Sequence, residues 1–304
     1  MPPTQETSPS PPLEQSLKAS VKLSRCDLEY LKEWLTKQPH LPPLTETELV
    51  PFLHSNDYSL EKTKTCIDKY FTMRTHAPEF FQSFDINKQI CKDQLSIHHY
   101  VLLPKRDSQG NRIICSEFYN KDATLFDFDA TTAVVYAYLD VIIREEPTCP
   151  GYVFVLNSGN TTFAHVSKTN VSSLCKSMTY FQQALPLKMK AIHVINVNAV
   201  AEACYALAKS FIGEELQQML QFHSGKMEKF YETIPKDSLP TEFGGTLGSL
   251  AEFHETMADK LKERNEWLQQ LSQKTVQDNK RPGDAKSAGD VFGMEGSFKK
   301  LDID

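Results

Sequence analysis

Two stretches decide the fold: LPLKMKAIHVIN at residues 185–196 and LPTEFGG at residues 239–245. Within the first, residues 190–197 form a compact apolar run of the kind that is typical of a buried strand. Ile192 and Val194 share one face of this strand, because side chains alternate between the two faces. The paired glycines of the second stretch predict a turn.

Outward from these stretches, short apolar runs alternate with helical stretches. The predicted strands are residues 112–118, 152–156 and 190–197, with a further short strand at 220–223. The predicted helices are residues 130–144, 170–183 and 199–219. This alternation is typical of βα units, in which helices connect parallel strands. We therefore predict an α/β fold with a mostly parallel sheet.

A separate helical region precedes this pattern. Leu28, Leu31 and Leu35 recur at helical spacing, and Thr45 followed by Glu48 predicts a capping box that opens another helix. We predict four parts: a disordered leader at residues 1–15, an N-terminal helical module at 16–88, the α/β domain at 89–250, and a C-terminal helix and tail at 251–304.

The C-terminal part begins with a polar pattern. Residues 253–272 predict one long helix whose charged side chains face solvent. The tail that follows is rich in glycine and lysine but contains Phe292 and Phe298. We expect these two rings to dock on the body of the protein.

The composition argues against several classes of protein. Lys plus Arg is 33 and Asp plus Glu is 39, so the net charge of −6 disfavours nucleic-acid binding. The longest nearly apolar stretch, residues 132–143, is shorter than a bilayer span, and the N-terminus lacks the pattern of a secretory signal. Seven widely spaced cysteines without a CxxC pair favour free thiols. We expect a cytoplasmic monomer that has no nucleic-acid partner.

The sequence lacks the motifs of the common nucleotide enzymes and hydrolases. It contains no GxGxxG, no GxxxxGK[ST] and no GxSxG. His98 and His99 are adjacent in a strand-like segment and would point to opposite faces, which disfavours a shared metal ion. His193 and His223 lie in apolar segments and are more typical of core histidines than of catalytic ones. We predict no catalytic residue, no metal site and no cofactor.

The two quoted stretches resemble the CRAL-TRIO family of lipid-binding proteins. That family shows P-(L/I)-(K/R)-x-(K/R)-x-(I/L)-H-x-(I/L)-N followed by LPxE(Y/F)GG, and both patterns occur here in order. Residues 52–60 and 70–74 extend the resemblance into the N-terminal module. The resemblance implies a CRAL-TRIO-like α/β lipid-binding domain with one deep apolar cavity. It also implies a mobile lid helix over that cavity and a small helical domain before it.

The resemblance further implies which side chains surround the ligand. The implied ligand-binding residues are Val135, Leu139, Tyr152, Phe154, Leu156, Phe163, Tyr180, Phe181, Leu187, Ile192 and Val194. The implied lid residues are Ala201, Cys204, Tyr205, Ala208, Phe211 and Ile212. The residues by themselves leave an alternative open, because an ordinary core and an ordinary amphipathic helix give the same patterns.

Small hydroxyl residues on the cavity helix help to hold the ligand in one carrier of the family, and here those positions are Val135 and Leu139. The pocket is therefore expected to be more apolar, or the polar end of the ligand is held elsewhere. Tyr136, Tyr152, Tyr180 and Asn196 are the alternatives for that role.

The same carrier has a basic cleft that binds phosphoinositide headgroups. Lys188, Lys190 and Lys209 match basic positions of that cleft. Four further basic positions are lost, because they fall on His54, Asn56, Glu215 and Met219. An anionic phosphate needs several cations, so phosphoinositide binding rests here on the three lysines.

Three functions follow as hypotheses. The first is an intracellular carrier of one hydrophobic molecule, such as a tocopherol, retinoid, sterol or carotenoid, with peripheral membrane contact during uptake and release. The second is a phospholipid or phosphoinositide exchange protein of the same fold. The third is an enzyme or a lipid-regulated scaffold.

Overall fold

The computed structural model of the protein describes residues 8–225 and 227–293. The α/β part is built on five strands: β1 (His98–Arg106), β2 (Arg112–Phe118), β3 (Tyr152–Asn157), β4 (Met189–Ile195) and β5 (Leu220–His223). They lie side by side in chain order. β1 is antiparallel to β2, and every other neighbouring pair is parallel. The predicted α/β fold with a mostly parallel sheet is confirmed.

β1 has no counterpart among the predicted strands. Its side chains do not alternate regularly between buried and exposed, and its pairing with β2 is interrupted between Leu102 and Arg106. A strand of this kind gives only a weak period-two pattern in the sequence, so the pattern did not predict it. Pairing with β2 places β1 at the edge of the sheet.

The N-terminal part is helical, as predicted. Its helices are α1 (Leu13–Ala19), α2 (Arg25–Thr36), α3 (Glu46–Ser55), α4 (Leu60–His76) and α5 (Pro78–Phe81). Thr45 and Glu48 form the predicted capping box, with the Glu48 side chain accepting the backbone N–H of Thr45 at 2.9 Å. α1 begins inside the predicted leader, because Leu13 and Leu17 pack against the core.

The helices of the α/β part follow the strands. They are α6 (Gln89–Ile97), α7 (Phe128–Glu145), α8 (Phe163–Ser167), α9 (Val171–Gln183), α10 (Ala199–Ala208), α11 (Glu214–Met219) and α12 (Glu228–Thr233). Side chains cap two of the longer ones: Asp127 accepts the N–H of Ala130 before α7, and Asn170 accepts the N–H of Ser172 before α9.

The helical stretch predicted over residues 199–219 is helical over most of its length, but it is not continuous. α10 ends at Ala208, a 3₁₀ turn covers Lys209–Phe211, and α11 begins after Gly213. Glycine is a poor helix former, and Ile212 before it has an extended backbone. The segment is therefore two short helices with a bend between them.

The LPTEFGG stretch forms the predicted turn. The geometry of this turn explains why positions 244 and 245 are both glycine. Gly244 has a left-handed backbone with φ of 76°, which favours glycine. Gly245 lies against the backbone of an earlier turn, where an added Cβ would come within 2.0 Å of the Leu239 carbonyl oxygen. Any side chain at position 245 would collide with the backbone there.

The two faces of the sheet have different neighbours. Odd-numbered residues of β2 and β3, such as Cys115 and Val155, pack with Phe230, Leu239 and Phe243 on one face. The even-numbered residues of the same strands face α7 and α9, and this is the face that borders the cavity described below.

The C-terminal part wraps back onto the N-terminal module. It contains α13 (Leu250–Glu263), α14 (Asn265–Ser272) and α15 (Ala288–Phe292), so the one long helix predicted over residues 253–272 is wrong. The break is at Arg264, where Asn265 bonds Asp85 and the backbone N–H of Ile86. These contacts with an earlier loop have no signal in the local pattern.

Charged groups hold the end of this part in place. Arg281 donates to Asp68 at 2.6 Å, and Lys286 donates to the same carboxylate at 3.0 Å. Burial opposes ionisation of Asp68, but His40 and these two cations lower its pKa to about 2. Phe292 is buried, in line with the expected docking, and Phe298 lies outside the described residues.

A buried charge cluster joins the N-terminal module to α7. The Asp140 carboxylate accepts from Arg74 at 2.6 Å, from Arg144 at 2.8 Å and from the Tyr70 hydroxyl at 2.6 Å. Burial opposes ionisation of this carboxyl, but the two arginines hold the pKa of Asp140 below its ordinary value. The cluster is a buried, charge-assisted hydrogen-bond network, and such networks are costly to leave incomplete.

We predict that Asp140→Asn lowers the free energy of unfolding by about 3–5 kcal/mol, because it leaves two buried guanidinium groups without a counter-ion. Urea unfolding followed by circular dichroism measures the change. Asp259→Asn is the matched control, since its ion pair with Lys262 is exposed (69% and 59%). The control should change stability by less than about 0.5 kcal/mol. Equal losses in the two variants would contradict the prediction.

Candidate functional site

A cavity of about 480 Å³ lies between the sheet and the helices α7 and α9. Its walls are chiefly apolar, and they come from all five strands, the long helices α7 and α9, the short helix α8 and the α10–α11 segment. A volume of this size lies within the range of small-molecule pockets. The cavity is therefore the candidate binding site.

The sheet provides one wall in two rows that cross the strands. Pairing aligns Phe154 with Ile192, and the next row aligns Leu156 with Val194. β2 and β5 extend both rows, with Ile114, Ser116, Leu220 and Phe222 in the same wall. Side chains two apart on a strand share a face, so this wall follows directly from strand register.

Helices α7 and α9 provide the opposite wall. Val135 and Leu139 are one helical turn apart on α7, and Met178 and Phe181 face the cavity from α9. Tyr136 also borders the cavity, but its hydroxyl already donates to the Ser177 carbonyl at 2.8 Å. Tyr136 therefore contributes an aromatic ring to the wall, and its hydroxyl hydrogen is already used within the protein.

The α10–α11 segment covers the β5 side. Cavity-lining side chains of this segment are Ala201, Cys204, Tyr205, Leu207, Ala208, Ile212 and Leu216. The Tyr205 ring packs on Phe222, with centroids 5.0 Å apart. Gln182 of α9 holds the bend, because its amide donates to the Phe211 carbonyl at 2.8 Å and accepts the Gly213 N–H at 2.7 Å.

The structure brings together many of the side chains named from the sequence. Those in the cavity wall are Val135, Leu139, Phe154, Leu156, Phe181, Ile192 and Val194, with Ala201, Cys204, Tyr205, Ala208 and Ile212 from the expected lid. They come from residues far apart in the chain, so their shared surface is a product of the tertiary fold.

Five of the named side chains are not in this wall. Tyr152 lies one row below Phe154, beside the register break in β3. Tyr180 is fully buried and accepts from Arg74 at 3.3 Å. Phe163 is 61% exposed, and Leu187 packs against the core from the loop before β4.

Phe211 is the fifth, and it lies in the 3₁₀ turn after α10, where the helical pattern that placed it on the lid face has ended. Asn196, one of the alternatives for holding a polar group, lies outside the wall as well. It donates to Asn157 at 3.0 Å at the end of β4. Phe211 follows the end of α10 and Asn196 follows the end of β4, so the ends of these two elements determine where both side chains lie.

Sequence reasoning missed a polar group in the wall. The His98 ring contacts the Ser116 hydroxyl at 2.8 Å and the Tyr100 hydroxyl at 2.9 Å. Burial lowers the pKa of His98 well below its ordinary value, so the ring is neutral. His98 and His99 do point to opposite faces, and His99 lies against His254 with ring centroids 4.7 Å apart.

The three lysines named for phosphate binding have different surroundings. Lys188 forms an ion pair with Asp57 and lies over the Tyr58 ring at 5.9 Å. Lys190 and Lys209 are exposed. His54, at a position where a basic residue was expected, donates to the Cys149 carbonyl at 2.7 Å, and burial lowers its pKa.

Two further features of the described residues concern metals and membranes. Within the described residues, His, Cys, Asp and Glu side chains do not form a group of three or more that could hold a metal ion. Across residues 8–225 and 227–293, no helix has both the length and the apolar character needed to cross a membrane.

Comparison with known families matches both parts of the chain. Residues 98–245 match the model of the CRAL/TRIO domain, and all five strands and the cavity wall formed by them lie within this match. The chain contains a CRAL-TRIO domain. Residues 21–91, in front of this domain, match the model of the Pinta-like UBA domain.

Two named proteins are similar to this chain over about three quarters of its length. This chain is 23% identical over 227 residues to the alpha-tocopherol transfer protein-like protein of Homo sapiens. The aligned residues make up 74% of this chain and 66% of the relative. This chain is 22% identical over 224 residues to clavesin-1 of Rattus norvegicus, covering 73% and 63%. The chain thus spans about two thirds of the length of these relatives.

A solved structure, that of Sfh5, superposes on 92% of this chain and 98% of its own. The TM-score is 0.42 and the sequence identity is 10%.

A histidine pair links β4 to β5 of the CRAL-TRIO domain, on the face away from the cavity. His193 Nδ1 lies 3.0 Å from His223 Nε2, and both rings pack near Phe230. Two neutral rings can share one hydrogen in this contact, whereas two charged rings would repel each other. Burial, and then His223, lower the pKa of His193 from 6.5 to about 4.

We predict that the neutral pair stabilises the fold above about pH 6.5 and that this contribution is lost as the pH falls towards about 4, because the folded state disfavours a charged His193. Urea unfolding at a series of pH values measures the loss. His193→Phe keeps an aromatic ring and cannot titrate, so its stability should fall less over the same window. Identical pH profiles for the two proteins would show that His193 does not titrate as expected.

Proposed function

We propose that the protein is a lipid carrier that encloses one hydrophobic small molecule in the 480 Å³ cavity and transfers it between membranes or proteins. The apolar wall formed by the sheet, α7 and α9 is the observation that carries this proposal. The family match and the relative named for tocopherol transfer support it.

The physical driving force is burial of apolar surface. Removing such surface from water contributes ~25 cal/mol per Å², so a ligand that buries ~300 Å² would gain about 7.5 kcal/mol before the cost of association. This gain requires no catalytic group. We propose that the protein is a carrier without enzymatic activity, and that it works as a cytoplasmic monomer.

The ligand proposed is an isoprenoid-like molecule such as a tocopherol, retinoid, sterol or carotenoid. Val135 and Leu139 contribute apolar side chains to the α7 wall, and the cavity wall as a whole is chiefly apolar, which favours such a molecule over a ligand with a charged headgroup inside the cavity. A phospholipid exchange protein would need cations near the cavity, and Lys188 is already paired with Asp57. Lys190 and Lys209 remain as exposed positions for phosphoinositide contact.

Uptake and release need the cover over the cavity to move. We propose that the α10–α11 segment is this cover and that it opens at a membrane surface. Phe163 and Phe222 are exposed (61% and 42%) beside the covering elements, so they could contact the lipid surface during opening. The Gln182 contacts with Phe211 and Gly213 would have to break.

Mass spectrometry of an organic extract from the protein purified from its source tests the proposal directly. One stoichiometric apolar isoprenoid would support the carrier and name its cargo. Stoichiometric phospholipid would instead favour lipid exchange. An empty protein that also rejects a panel of lipids would contradict the carrier function and favour a partner-binding scaffold.

A second prediction concerns the wall itself. Leu156→Glu and Ile192→Glu should each weaken binding of an apolar fluorescent probe, such as diphenylhexatriene, at least about tenfold, because each places a carboxylate in an apolar cavity. Fluorescence titration measures binding, and circular dichroism checks the fold. Leu156→Trp is an uncharged second variant that should reduce binding by filling the space.

Val21→Glu is the matched control, since Val21 is fully exposed and receives the same change. It should bind the probe like the unmodified protein. Unchanged binding in folded Leu156 and Ile192 variants would show that the ligand lies elsewhere.

A further inference from the structure

The cavity is polar at one end. At the carboxyl ends of the parallel strands, its wall includes Ser116, Glu117, Asn157, Ser158, Thr161, His165 and Thr169. At the other end it includes Leu139, Phe154, Phe181 and Ile192. A molecule with one polar end and an apolar body would match this distribution.

Several polar side chains at the polar end already have protein partners. Ser158 donates to the Ile195 carbonyl at 3.0 Å, and Thr169 donates to the His165 carbonyl at 3.2 Å. Asn157 donates to the Glu117 carboxylate at 2.8 Å. These groups are committed to holding the loops at the strand ends.

His165 is held differently, because one of its ring nitrogens has a partner and the other does not. Nδ1 accepts the backbone N–H of Thr162 at 3.1 Å and lies 2.8 Å from the Thr162 hydroxyl. Nε2 is buried and makes no hydrogen bond with any of the described residues. The residue as a whole is only 2% exposed, so neither water nor a ligand oxygen reaches Nε2 until the side chains beside it move.

The partner of Nδ1 determines where the ring hydrogen lies. Burial, and then the charge of Lys168, lower the pKa of His165, so the ring is neutral near neutral pH. A neutral ring that accepts at Nδ1 carries its hydrogen on Nε2. The buried nitrogen is therefore a hydrogen-bond donor without an acceptor, an arrangement that native proteins rarely leave unexplained.

Two aromatic rings flank the His165 ring. Phe118 stacks on it with centroids 4.1 Å apart, and Phe126 packs against it at 5.2 Å. Both phenylalanines also border the cavity. The ring is thus fixed in an apolar frame at the polar end of the ligand space.

We propose that His165 Nε2 donates a hydrogen bond to an oxygen atom of the bound lipid, so that the cavity selects an apolar molecule with a carbonyl, hydroxyl or ether oxygen at one end over a pure hydrocarbon. The inference rests on the proposed carrier function. It orients the ligand with its oxygen at the strand ends and its body along Leu139, Phe154 and Ile192.

A matched pair of ligands tests the inference with the full chain. 2-Heptadecanone and heptadecane have the same length and differ by one carbonyl oxygen. Each is added from cyclodextrin and competes with diphenylhexatriene for the cavity. The unmodified protein should bind the ketone about five- to tenfold more tightly than the alkane, which is the range expected for one hydrogen bond between neutral groups.

The variants separate recognition from a general effect on packing. His165→Phe should bring the ketone-to-alkane preference close to one while retaining binding of the alkane. His165→Gln keeps an N–H donor and should retain part of the preference. His254→Phe is the control, since His254 is buried outside the cavity and bonds the Leu95 carbonyl.

The outcomes distinguish the two proposals. Displacement of diphenylhexatriene by both ligands, with a preference that His165→Phe does not change, would overturn the role of His165 and leave the carrier intact. Failure of the unmodified protein to bind the probe and either ligand would overturn the carrier function itself. If His165→Phe unfolds, the His165→Gln variant decides, since a reduced preference is expected there and an undiminished preference contradicts the inference.

Discussion

The buried carboxylate of Asp140 is the interaction on which the arrangement of the protein depends. It receives charge-assisted hydrogen bonds from Arg74 of the N-terminal module and from Arg144 of its own helix. Arg144 also lies over the Trp267 ring of the C-terminal part at 5.1 Å. One anion on α7 therefore fixes three parts of the chain together, and its low-dielectric surroundings strengthen each of these contacts.

α7 also forms part of the cavity wall, so its position affects the shape of the cavity. Val135 and Leu139 face the cavity from the same helix that presents Asp140 to the N-terminal module. A helix that is buried along most of its length can serve both surfaces, because residues one position apart point about 100° away from each other. The width of the cavity therefore depends on the contacts of α7 with the N-terminal module as well as on the sheet.

The cavity has unequal boundaries. The sheet, α7 and α9 are long elements with extensive pairing or packing, whereas the cover is made of α10, a 3₁₀ turn and α11. Gln182 holds this segment at its bend through two hydrogen bonds with backbone groups. The polar strand ends then give the cavity a direction, with His165 at one end and apolar side chains at the other.

The sequence by itself determined the features that depend on neighbouring residues. Strand periodicity located β2, β3 and β4, the capping box at Thr45 located α3, and the glycines of residues 239–245 located a turn whose backbone excludes a side chain. The alternation of strand-like and helical stretches predicted the α/β class, and the two family motifs implied the same fold. Register then followed, so the even-numbered residues of β3 and β4 were correctly placed on one face.

Only the tertiary structure decided which of these faces became a cavity wall and which residues met across it. Tyr180 and Phe181 are adjacent in sequence, yet one turns to Arg74 and the other to the cavity. β1, the bend at Gly213 and the unpartnered nitrogen of His165 likewise depend on groups distant in the chain. Local patterns report the period of an element, whereas burial, charge pairing and an empty space are properties of the surfaces that elements bring together.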